Sequence, residues 1–126
     1  MDSNKVYNFE ELEGLFPKSI IQLKLVLIDF LKMQNTPEEE IEEHLHLICK
    51  HTINSANSVL FLLFDLYKIY IVIDCMDYIE GKEWVPMVIN TDLEIKPTRT
   101  EAMVLAFNEA FIILEKQLEN NEVSVS

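Results

Sequence analysis

Seven side chains able to do chemistry crowd between residues 40 and 51: Glu40, Glu42, Glu43, His44, His46, Cys49 and His51, which include every histidine in the chain. On a helix, Glu40 and His44 stand one turn apart, and His44 and His51 two turns apart on the same flank. Glu43 and His46 have the Glu-x-x-His spacing of carboxylate-bridged metal bundles. Those bundles draw a second Glu-x-x-His and two more glutamates from facing helices, and this chain has no further histidine to supply them. A zinc site would need His44, His51 and a ligand from elsewhere, with no spacing that names it. The segment therefore reads as the solvated flank of an acidic helix, with no metal and no cofactor expected.

A second group, Asp74, Asp77, Glu80 and Glu83, gathers at the end of a strand-like run. Paired carboxylates do acid–base chemistry when their surroundings differ. At a strand end and turn, charge more often marks solvent and discourages edge pairing. Cys75 lies beside Asp74, whereas a reactive thiolate wants positive neighbours. Cys49 has His46 and Lys50 close by but belongs to no nucleophile motif. Both cysteines lie in apolar patterns, so they are expected to be buried and reduced. Two glycines, Gly14 and Gly81, cannot build a phosphate-cradling loop. No Gly-x-Ser-x-Gly elbow and no Cys-x-x-Cys is present. No catalytic set is complete, and the chain is not expected to be an enzyme.

Residues 67–78 are crowded with β-branched and aromatic side chains, which suit a pleated, half-buried surface. Ile69, Ile71, Ile73 and Cys75 fall on one face; Tyr70, Val72, Asp74, Met76 and Tyr78 fall on the other. Both faces are apolar up to Asp74, so cover is expected on both sides. Residues 80–83 offer a turn and residues 84–89 a return strand. Pro86 cannot donate to a ladder, which predicts that the return strand lies at an edge, at least locally. Residues 93–95 are a candidate third strand.

Helices must flank this hairpin, since two strands alone are marginal in water. Asn8 and Glu11 have the spacing to cap a short turn near the start. Residues 17–34 carry Ile20, Leu23, Leu27, Phe30 and Leu31 at helical spacing, although the subsegment 20–27 also suits a strand. Thr36, Pro37 and Glu39 open a second helix, with Glu38, Glu39 and Glu40 at its positive end. Its apolar stripe runs through Ile41, Leu45, Ile48, Thr52, Ala56, Val59 and Leu63, with a break near Asn54 as the alternative. Thr98 and Glu101 cap a third long helix. Met103, Ala106, Phe107, Ala110, Phe111, Leu114 and Leu118 form its apolar face, and Glu101, Asn108, Glu115 and Glu119 lie opposite. Leu105 and Ile112 share that polar side, which predicts a second contact within the fold or between chains.

The chain has 126 residues, 49% of them hydrophobic, and a net charge of -12. That size suits one domain, residues 1–126, with 1–16 and 120–126 irregular or frayed. The acidity is spread over both halves. With Arg99 the only arginine, it argues against direct nucleic-acid binding. The opening residues do not resemble a signal peptide, and no apolar run is long enough to span a bilayer, so a cytoplasmic protein is expected.

The sequence thus predicts an α+β fold in the order α-α-β-β-α, with a small antiparallel hairpin sheet packed against helices. The function it favours is a non-enzymatic protein-binding module, of inhibitor or immunity type, docking on a basic partner. Glu38, Glu39, Glu42, Glu43, Asp74, Asp77, Glu80, Glu83 and Trp84 are the candidate partner-binding residues. The alternative is a homodimeric structural module that self-associates through Leu105 and Ile112. A metal protein or enzyme using residues 44–51 stands third.

Overall fold

The computed structural model describes residues 2–49, 57–78 and 81–125. Among these, α1 (Phe9–Leu15), α2 (Pro17–Met33), α3 (Glu38–Cys49) and α4 (Asn57–Leu66) precede a sheet of β1 (Ile71–Tyr78), β2 (Gly81–Val88) and β3 (Thr91–Asp92). The long α5 (Arg99–Val125) follows. The fold is α+β, as the sequence predicts, with the sheet packed against helices.

Local signals account for most boundaries. Asn8 accepts from the backbone N–H of Glu11 at 2.8 Å, and Glu11 accepts from that of Asn8 at 3.3 Å, a complete capping box for α1. The short capped turn expected at Asn8 and Glu11 is therefore a helix over residues 9–15. The segment 20–27 is helix throughout, because Ile20, Leu23, Leu27 and Leu31 form one buried stripe along α2. That helix ends at Asn35, whose φ of 61° is left-handed. The backbone N–H of Thr36 then bonds Leu31 and that of Asn35 bonds Lys32, which satisfies two terminal carbonyls. Lys68 does the same for α4: its φ is 61°, with Ile69 bonded to Phe64 and Lys68 to Asp65. Tyr67 and Lys68 thus close a helix instead of opening the strand. The proposed break near Asn54 lies outside the described residues, and α3 and α4 are separate elements on either side.

The hairpin register runs from Ile71↔Val88 to Tyr78↔Gly81, so residues 81–83 pair as strand and do not form the turn. The strand order is β1-β2-β3, which makes β2 central as a whole, and the expected edge character survives only locally at Pro86, since β3 pairs with Met87 and Val88 alone. The reason is a matter of which way Pro86 faces. Trp84 exchanges both backbone bonds with Lys96, so Pro86, two residues on, turns its backbone to the same side. Its carbonyl accepts from Leu93 there, while the missing N–H leaves a gap in the third strand. The ladder to β1 is untouched. Ile89 and Asn90 link β2 to β3 with φ of 50° and 61°, the positive pair of a type I′ turn.

The core lies between the helices and one face of the sheet. Helix α2 packs on α1, α3, α4 and α5, and α5 in turn packs on β1 and β2. Phe111 stacks on Phe16 at 5.7 Å and meets Phe64 edge-on at 5.0 Å, with Phe107 beside Phe61 and Phe64. The expected cover on both sheet faces is full on one and partial on the other. Ile71 and Ile73 pack against the core. Tyr70, Val72 and Met76 on the opposite face are 55%, 49% and 46% exposed. Cover on this second face reaches Val85 of β2, which pairs with Asp74 and is 9% exposed, but does not extend to Val72 and Met76 of β1.

Candidate functional site

The side of α5 opposite its apolar face is buried too, although it carries Asn108 and Glu115. Glu115 reaches the start of α2, whose N-cap is Phe16 and offers no side-chain oxygen. Its carboxylate accepts from the backbone N–H of Ser19 at 2.9 Å, the Ser19 hydroxyl at 3.0 Å and the backbone N–H of Lys18 at 3.3 Å. A residue 96 positions away thus does the work of a missing cap. Asn108 Nδ2 donates to the carbonyls of Ser3 and Lys5 at 2.8 and 3.0 Å and ties the chain start to α5. These buried polar groups are fully engaged in structure.

Leu105 is buried in the chain, and Ile112 is half-buried against the core. Leu105 is thus covered within the chain, and its polar neighbours Asn108 and Glu115 on this side of α5 meet the N-terminal segment and α2.

The predicted partner-binding residues fall into two separate groups. Glu39, Glu42 and Glu43 line an open groove of about 570 Å³ with Leu45 and His46 of α3 and Lys24 of α2. Glu38 is exposed in the first turn of α3. The side chain of Lys24 is held by Glu13, with Nζ 2.6 Å from the carboxylate, so the one ammonium among the described residues lining the groove already has an anion. The groove is therefore acidic, with an apolar spot at Leu45. Asp74, Asp77, Glu83 and Trp84 lie on the hairpin, which packs on α5, while α3 packs on α2. Glu80 lies outside the described residues. The structure does not bring the two groups together.

The histidine segment is likewise split by position. His44 is half-buried, His46 is exposed in the groove, and His51 lies outside the described residues. Among the described residues, no three His, Cys, Asp or Glu side chains converge as metal ligands. Glu43 and His46 both line the groove beside Lys24. Cys75 is a free, exposed thiol, which corrects the expectation that it is buried. The register explains it. Cys75 is opposite Trp84, beyond the stretch at Ile71 and Ile73 that packs against the core.

Sequence reasoning missed Lys24 as a groove residue, since nothing local tells which flank of α2 meets α3. It also missed the exposure of Tyr70, Val72 and Met76, whose period-two spacing was on display but whose cover was not. Among the described residues, no helix is long and apolar enough to cross a membrane. Compared with protein-family models, with curated proteins and with solved structures, the chain matches none.

Proposed function

We propose that this chain is a non-enzymatic protein-binding module, an inhibitor or immunity-type protein that docks on a basic site of its partner. The observation that supports it is the α2–α3 groove. Glu39, Glu42 and Glu43 converge there around Leu45, and Lys24 is occupied by Glu13. Such a surface accepts lysine or arginine side chains. A net charge of -12 would speed encounter with a cationic partner and make it depend on salt. A cytoplasmic setting accords with this reading.

Affinity capture from the native host at low and then high salt tests it. The expected result is a basic protein retained at low salt, released at high salt, and lost with the Glu39→Gln, Glu42→Gln, Glu43→Gln triple variant. Capture of no basic protein at low salt would overturn the reading.

A homodimer is the second reading, favoured by the exposed apolar face of β1. Light scattering across a concentration series separates the two. A monomer at high concentration removes the homodimer.

A further inference from the structure

The outer side of β1 is an open sheet edge. Tyr70 and Ile89 form a hydrogen-bonded pair, so Val72, Asp74 and Met76 turn their backbones toward β2. Ile71, Ile73, Cys75 and Asp77 therefore turn theirs outward, and β1 ends the strand order. Among the described residues no strand lies beyond it. The same strand carries the exposed apolar side chains Val72 and Met76, with exposed Tyr70 just before it, whereas Val85 on β2 is only 9% exposed. The uncovered part of the sheet is thus its free edge, and Asp74 sits in the middle of it.

We propose that β1 accepts an added strand from a basic partner: an extended segment with aliphatic, basic and aliphatic side chains at every second position. This proposal rests on the chain's being a binder of basic proteins, and it assigns a surface and a partner conformation. Outward N–H and C=O groups supply the ladder, and pockets at alternate positions supply selectivity. Positions opposite Val72, Asp74 and Met76 would be non-hydrogen-bonded pairs in an antiparallel arrangement, where side chains approach closest. Aliphatic groups suit Val72 and Met76. Lysine or arginine suits Asp74, with Glu83 across the open face beside Met76. A second copy is the poorer occupant. Pairing β1 with itself places Asp74 and Asp77 of both copies on one ladder, and β1 contains no cation.

The probe is an end-blocked peptide, Thr-Val-Thr-Lys-Thr-Val-Thr, titrated into the full chain at low salt and followed by backbone amide shifts. Shifts are expected at Ile71, Ile73, Cys75 and Asp77. Methylating the threonine amides should weaken binding at least tenfold. A Glu-for-Lys peptide should fail on the native chain and bind the Asp74→Lys variant, a surface change that leaves the core intact. Binding indifferent to amide methylation or to the charge exchange would overturn the proposal. So would concentration-dependent shifts of the same amides without peptide, which would make a second copy the occupant. Shifts confined to Glu39, Glu42 and Glu43 would overturn the β1 assignment and leave the basic-partner function standing. No binding at β1 overturns the assignment, and the capture experiment then decides the function independently.

Discussion

Replacing Glu115 with alanine removes the side-chain acceptor that caps α2 and strands the buried Ser19 hydroxyl. Lost caps and unmet buried donors each cost on the order of 1–2 kcal/mol. Urea denaturation should therefore show Glu115→Ala destabilised by about 2 kcal/mol, with Glu115→Gln losing less because one acceptor remains. Ile89 points the other way. A β-branched residue at φ 50° is strained, and type I′ turns favour asparagine there. Ile89→Asn should raise stability by about 1 kcal/mol, read in the same denaturation series. Glu11 is sensitive to pH. Its hydrogen bond to Lys5, and then that from the Asn8 backbone, hold its carboxyl below the ordinary value of 4.5. A lowered folded-state value means the contribution is complete above that ordinary value and disappears as pH falls through the lowered one. Amide exchange at Asn8 should quicken over that acid range before the core opens.

At the scale of elements, caps decide how much was legible. Asn8 with Glu11 and Thr98 with Glu101 announce α1 and α5, and Thr98 Oγ1 does accept from the Glu101 N–H at 3.2 Å. The end of α4 was illegible because its left-handed residue is Lys68, not the usual glycine. The strand was consequently read as starting four residues early. Lys68→Gly should relieve that strain and stabilise the chain by about 1 kcal/mol, visible as a raised thermal midpoint. Strand alternation gave the two faces of β1 correctly but not their fate, since cover depends on where four helices choose to stack. The acids of the candidate site were legible as types. Their division between a groove and a sheet edge was not, because it follows from α2 and α5 separating α3 from the hairpin.

For the whole molecule, charge is the dominant unpaired quantity. Exposed ion pairs such as Lys5–Glu11 at 2.8 Å and Lys24–Glu13 at 2.6 Å leave the -12 unchanged, because that net figure already counts every lysine. The compact state therefore carries net self-repulsion, which salt screens as the Debye length shortens from about 30 Å at 0.01 M to about 8 Å at 0.15 M. Calorimetry over that range should show the midpoint rising by a few degrees, and a flat response would mean the carboxylates are locally compensated. Helix α5 adds a consequence in time. It lies between α2 and the sheet and supplies the cap for a helix begun almost a hundred residues earlier. While the chain is being synthesised, α1 to α4 emerge with their greasy sides unmatched and α2 without its anchor. The nascent amino-terminal half must wait for residues near 115 to leave the ribosome before it can lock, and a chaperone has its opportunity in that interval.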